Sequence, residues 1–123
     1  VVAGGDRDRQ GNHISADGVR RVWSDEMGED ARVTIDWADV RTLDAAGDLD
    51  FVVMNPPFHD GGSEDRRLGQ AFIRKAAELL GKGSVLWCVA NRHLPYEAEL
   101  NAAFKRVRMV ADAGGYKLFE AVK

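Results

Sequence analysis

Asn55, Pro56, Pro57 and Phe58 stand in a row behind a short apolar run, Phe51-Val52-Val53-Met54. The Asn side-chain oxygen and the carbonyl of the next residue are both acceptors, and two consecutive prolines hold them with little backbone freedom. A flat aromatic ring follows. Such a set suits a planar amino group. The two acceptors take its hydrogens, draw its lone pair out of conjugation and aim it at an electrophile, while the ring supports the plane beside it. No acid–base pair is needed for this chemistry. A stiff turn after a strand uses the same residue types, so spacing alone leaves the two readings level. His59 and Asp60 come next, and a His-Asp pair at a pocket mouth can do proton work near neutral pH. His59 is expected to line the pocket instead, because a protonated amine product can lose its proton to water.

These residues need a frame. The run 50–54 is rich in β-formers, and a central strand cannot continue through two prolines that lack amide donors, so the strand is expected to end at Asn55. The carboxyl end of a buried parallel strand is where open α/β sheets place their ligands. Ser63 can cap a helix whose first turn holds Glu64 and Asp65, with Leu68, Phe72, Ala76 and Leu79 as its buried stripe and Gly81 and Gly83 as its stop. The nearly continuous apolar run 84–90 is expected to be a strand covered on both faces, leading into the loop 91–96 and a second helix over 97–104. Strands over 107–111 and 116–122 flank Gly114-Gly115, which predicts a closing antiparallel hairpin. Upstream, residues 1–3 read as the end of a strand and 33–37 as an alternating strand that reaches Ala38-Asp39. Between them Gly11, Gly18 and Gly28 interrupt a helical face of Val19, Val22, Trp23 and Met27. The rhythm is that of an α/β domain with a mostly parallel sheet.

Composition narrows the class. A chain of 123 residues with 45% hydrophobic and 30% charged side chains has the arithmetic of one soluble domain. It offers no apolar run of the ~20 residues that a membrane helix needs. The single cysteine, Cys88, lies in an apolar run and is expected to be a buried core thiol. No secretory signal is visible, which reads as cytoplasmic. His13, His59 and His93 show no metal-ligand spacing, so no metal is expected. The net charge of −3 is unevenly spread: residues 1–54 hold six arginines against twelve acids, whereas 55–123 hold eleven basic residues against eight acids. Arg66, Arg67, Arg92 and Lys117 fall near expected strand ends, loops or a helix start, where they could meet RNA phosphates.

The stretch Asn55-Pro56-Pro57-Phe58-His59-Asp60-Gly61 resembles the motif of class I S-adenosylmethionine-dependent methyltransferases that act on exocyclic amino nitrogens, in the subgroup that methylates guanine N2 of ribosomal RNA. Gln70-Ala71-Phe72-Ile73-Arg74, the Gly81 to Gly83 break, Val89-Ala90-Asn91-Arg92-His93-Leu94-Pro95-Tyr96 and Gly114-Gly115-Tyr116-Lys117 resemble that subgroup's C-terminal half, in the same order. The likeness covers roughly residues 33 to 123. It implies a Rossmann-like methyltransferase fold, S-adenosylmethionine as cofactor, and ribosomal RNA or the small ribosomal subunit as partner. It also implies that Asn55 and the Pro56 carbonyl, stiffened by Pro57, hold the target amino group, and that Phe58 stacks on the base. Asp39 would contact the cofactor adenine and Asp6 its ribose, with Asn55 bordering the cofactor.

The family's first strand and glycine-rich loop have no counterpart in these residues. Residues 1–123 are therefore expected to form a single methyltransferase domain that is incomplete at its N-terminus. A missing strand would leave a gap in the sheet and favour association. Two other readings stay open: an N-methyltransferase acting on a glutamine amide or a small amine, and a non-catalytic RNA-binding remnant.

Overall fold

A strand that loses its amide donor at Pro56 can hold a ladder only as far as Asn55, and the strand observed there, Leu49–Met54, stops just before it. The computed structural model describes residues 2–3, 32, 38–56 and 63–123. The chain divides into two units, one of Val1–Gly4 with Val40–Lys123 and one of Gly5–Asp39. In the second unit the described residues are Arg32, Ala38 and Asp39, all exposed. The expectations for 4–31 and 33–37 lie outside the described residues.

The first unit runs in chain order through β1 (Val2–Ala3), a 3-10 turn (Val40–Thr42), β2 (Leu49–Met54), α1 (Ser63–Leu79), β3 (Leu80–Asn91), α2 (Glu97–Ala103), β4 (Arg106–Ala113) and β5 (Tyr116–Val122). The five strands form one sheet in the order β1-β2-β3-β5-β4. β1 and β3 pair parallel to β2, whereas β5 pairs antiparallel to both β3 and β4. The C-terminal hairpin is as expected, and Gly114 and Gly115 turn it with φ of 62° and 84°. Two consecutive positive φ values are what a tight hairpin turn demands, and glycine adopts them without strain.

The core lies on one face of the sheet. Val52 and Met54 of β2, Leu86, Cys88 and Ala90 of β3, and Phe119 and Ala121 of β5 are buried in one cluster with Phe72, Ile73 and Ala76 of α1 and with Leu94, Tyr96, Leu100 and Phe104. Burial pushes the Cys88 thiol up to about 12, as befits a core residue. The α1 stripe expected from spacing is observed, with Leu68 partly buried and Ile73 added at full burial.

Two expectations change. β3 begins at Leu80 rather than Ser84, so Gly81 and Gly83 belong to the strand instead of capping the helix. Between the pairs Leu49↔Leu80 and Phe51↔Val85 the register slips, which makes 81–84 a bulge on β3. The Lys123 side chain reaches this bulge and donates to the Leu80 carbonyl at 2.7 Å. The run 84–90 is also not covered equally on its two faces: Leu86, Cys88 and Ala90 are buried while Val85, Trp87 and Val89 are half-buried. A continuous apolar run does not reveal which face the helices cover, and here Phe51 of the opposite face stays 60% exposed. On its other side β2 pairs with β1 at Val53 and Met54.

α1 carries Gly69 where the helix passes Tyr96, which is 1% exposed. A Cβ at position 69 would overlap the Tyr96 hydroxyl and ring. Glycine inside a helix costs about 1 kcal/mol relative to alanine, so its presence here is explained by the close approach. Gly69→Ala is expected to destabilise the chain by about 1–3 kcal/mol despite the gain in helix propensity. Urea unfolding checks the sign, and a neutral or stabilised variant contradicts the packing argument.

Candidate active site at the carboxyl edge of the sheet

The end of β2 sets the site. Met54 pairs with Cys88, which puts Asn55 level with Val89. Asn55 is exposed and Pro56 buried, continuing the in–out alternation of Val53 and Met54. An accessible amide thus sits on a backbone whose next residue is anchored in the protein. α1 leads back from this edge, because Leu80, directly behind it, pairs with Leu49 at the start of β2. Its first residue, Ser63, and the exposed Arg66 therefore belong to the same edge as Asn55.

β3 extends past the level of Asn55 and ends at Asn91, which pairs with Tyr116 at the start of β5. The Asn91 side chain accepts the His93 amide at 3.1 Å, while its carbonyl accepts the Leu94 amide at 3.0 Å. The Arg92 amide donates to the Gly115 carbonyl at 2.8 Å. Leu94 and Tyr96 are buried, so the loop 91–96 is held from below and presents Arg92 and His93 to solvent.

Two cations singled out from the sequence are already engaged at this edge. Arg92 Nε donates to Asp112 Oδ1 at 2.7 Å, tying the loop to β4. Lys117 Nζ donates to Glu97 Oε1 at 2.6 Å, tying β5 to α2. Asn55, Pro56, Arg66, Arg92 and Lys117 are thereby brought to one end of the first unit. Asp39 is exposed and ends the second unit. Pro57, Phe58, His59 and Asp6 lie outside the described residues. Tyr116, half exposed at this edge, received no role from the sequence. The signal that could have placed it is the alternation of Tyr116, Leu118 and Glu120 against the buried Phe119 and Ala121.

A cleft of about 340 Å³ lies between the 3-10 turn and the first half of α1, lined by Arg41, Arg67, Leu68 and Ala71. Neither Asn55 nor Pro56 lines it. Among the described residues no cluster of three His, Cys, Asp or Glu side chains could hold a metal. No described helix is long and apolar enough to cross a membrane.

The family model of the methyltransferase small domain matches residues 11–120. The ribosomal RNA small subunit methyltransferase C of Idiomarina loihiensis is 40% identical over 78 residues, which is 63% of this chain and 23% of that protein. Its counterpart in Alcanivorax borkumensis is 40% identical over 76 residues, 62% of this chain and 23% of that one. The chain thus spans under a quarter of the length of these curated relatives. Among solved structures, a 16S rRNA N2 methyltransferase of T. thermophilus in complex with AdoMet and guanosine superposes with a TM-score of 0.70 at 28% identity. That match covers 92% of this chain and 30% of the other. The fold is the Rossmann-like methyltransferase fold.

The Lys117–Glu97 pair yields a pH prediction. Burial by itself would raise the Glu97 carboxyl, but the Lys117 hydrogen bond, a backbone hydrogen bond and the Lys117 charge together outweigh it and hold it below its usual value. A carboxylate depressed by folding contributes stability above its unfolded value of 4.5, and that stability is lost as pH falls through the lower folded value. The Glu97 side chain is 43% exposed, so the contribution is under about 1 kcal/mol. Glu97→Gln is expected to lower the urea midpoint slightly at about pH 7 and to leave it unchanged at about pH 3. An equal effect at both pH values argues against the pair.

Proposed function

The chain belongs to the methyltransferase small domain family, and from that premise we propose that it carries the catalytic part of an S-adenosylmethionine-dependent N-methyltransferase acting on guanine N2 of ribosomal RNA. The observation that carries this reading is the exposed Asn55 followed by the buried Pro56 at the end of β2. Such a pair offers two fixed acceptors to an amino group at the edge where this fold class binds ligands. The names of the relatives, and the guanosine bound by the T. thermophilus neighbour, support the choice of an RNA guanine over other amines.

When bound, S-adenosylmethionine supplies an electrophilic sulfonium methyl to the waiting nitrogen. Asp39 is assigned to its adenine, Asp6 to its ribose, and Asn55 to the border between cofactor and base. The exposure of Asp39 fits a group that must meet a ligand. The Asn55 amide oxygen and the Pro56 carbonyl accept the two amino hydrogens, which turns the nitrogen lone pair out of the ring system and fixes its direction. Phe58 stacks on the base and Pro57 limits the freedom of both neighbours. No side-chain base is required, since the methylated nitrogen gives up its proton to water. His59, Arg66, Arg92 and Lys117 are assigned to the RNA around the pocket. A guanine in folded RNA must leave its stack to reach Asn55. A ribosomal substrate puts the reaction in the cytoplasm.

Asn55→Ala is expected to lower methyl transfer to 16S RNA on the order of 10²-fold or more. Its urea midpoint and its affinity for S-adenosylhomocysteine should stay close to wild type, because the side chain is exposed. In the same series Asp39→Ala should weaken S-adenosylhomocysteine binding more than Phe58→Ala does, as read by isothermal titration. Unchanged turnover in Asn55→Ala removes the mechanism. Methylation of a glutamine peptide or a small amine in place of RNA moves the substrate. RNA binding without any S-adenosylhomocysteine binding favours a non-catalytic role.

A further inference from the structure

We propose that Tyr116 is a stacking platform for the base next to the target guanine in the RNA strand; this rests on the RNA-methyltransferase reading above. Tyr116 opens β5 and pairs with Asn91, the last residue of β3. Leu118, two residues on, pairs with Val89, and Val89 is level with Asn55. Alternation then puts Tyr116, Leu118, Val89 and Asn55 on one face of the sheet, opposite the buried Phe119, Cys88 and Met54. Two strand spacings across and two residues along separate Tyr116 from Asn55 by about 12 Å between Cα atoms. A neighbouring nucleotide spans that distance readily.

Tyr116 is 52% exposed, yet its backbone is fixed on both sides. The Gly114-Gly115 turn precedes it, and the Gly115 carbonyl accepts the Arg92 amide. The Arg92–Asp112 and Lys117–Glu97 pairs clamp the flanks. A rigid, accessible aromatic ring is the group that single-stranded nucleic acid uses as a stacking surface, because every base has a π face. Asp112 and Glu97 neutralise the two nearest cations, so what this spot presents is a flat ring rather than net positive charge.

The test uses the chain itself and a fluorescein-labelled single-stranded RNA of about ten nucleotides with one central guanine, read by anisotropy. Matched oligonucleotides carry an abasic nucleotide on the 5′ or the 3′ side of that guanine. Wild type is expected to bind the intact oligonucleotide about fivefold or more tightly than one of the two abasic forms. Tyr116→Ala should lose that difference, Tyr116→Phe should keep it, and S-adenosylhomocysteine affinity should stay the same in all three. A merely structural role for Tyr116 would lower affinity for intact and abasic RNA alike. Tyr116→Ala that still discriminates, or a wild type that never does, overturns the inference while leaving the methyltransferase reading standing. A wild-type chain that binds none of these RNAs overturns the inference together with the RNA reading.

Discussion

Proline has no backbone N–H, and at Pro56 this stops the β2 ladder while the strand beside it goes on. β3 runs three residues past Cys88, the partner of Met54, and takes β5 along with it. The carboxyl edge of the sheet is therefore stepped, low at Asn55 and higher at Asn91 and Tyr116. Burial of Pro56 keeps the lower tread from moving, and the exposed Asn55 is the polar group left on it. A longer β2 would satisfy more backbone groups through the ladder and leave no such step. The site is thus a consequence of where hydrogen bonding has to cease.

The upper tread depends on packing from the other face. The loop 91–96 is closed by the hydrogen bonds that Asn91 accepts from the His93 and Leu94 amides, and its depth comes from Leu94 and Tyr96 sinking into the cluster formed by α1 and the sheet. Tyr96 can descend that far because residue 69 has no side chain. α1 in turn is held to the segment after the 3-10 turn by Lys75, whose ammonium donates to the Leu43 carbonyl at 3.1 Å. One helix thereby locates the loop that borders Asn55 and the segment that follows Asp39 in sequence.

Features dictated by backbone chemistry could be read from the sequence. The end of β2 follows from Pro56 and Pro57, and the hairpin from Gly114-Gly115; α1 follows from its apolar spacing. The start of β3 was hidden because Gly81 and Gly83 carry two meanings, helix stop and bulge, and only the pairing of Leu80 with Leu49 decides between them. One-sided burial of β3 was hidden because valine and tryptophan suit a half-covered face as well as a covered one. In the site, Asn55 and Pro56 were legible as a local motif. The partners of Arg92 and Lys117 were not, since Asp112 and Glu97 lie 20 residues away in sequence and only the folded sheet brings them close. The need for glycine at position 69 was not legible either, since only the fold brings Tyr96 against it.

The charge excess of the second half therefore does not convert directly into a uniformly positive rim. Arg74, Lys75, Arg92, Arg108 and Lys117 are each ion-paired to an acid of the same unit. Arg66 and Arg67 share the first turns of α1 with Glu64 and Asp65. At the stepped edge near Tyr116, Asp112 and Glu97 balance Arg92 and Lys117. Under the proposed function, an RNA that delivers one unstacked guanine to Asn55 would meet a near-neutral, flat surface at this edge, on which stacking, with little salt dependence, would decide how its bases lie.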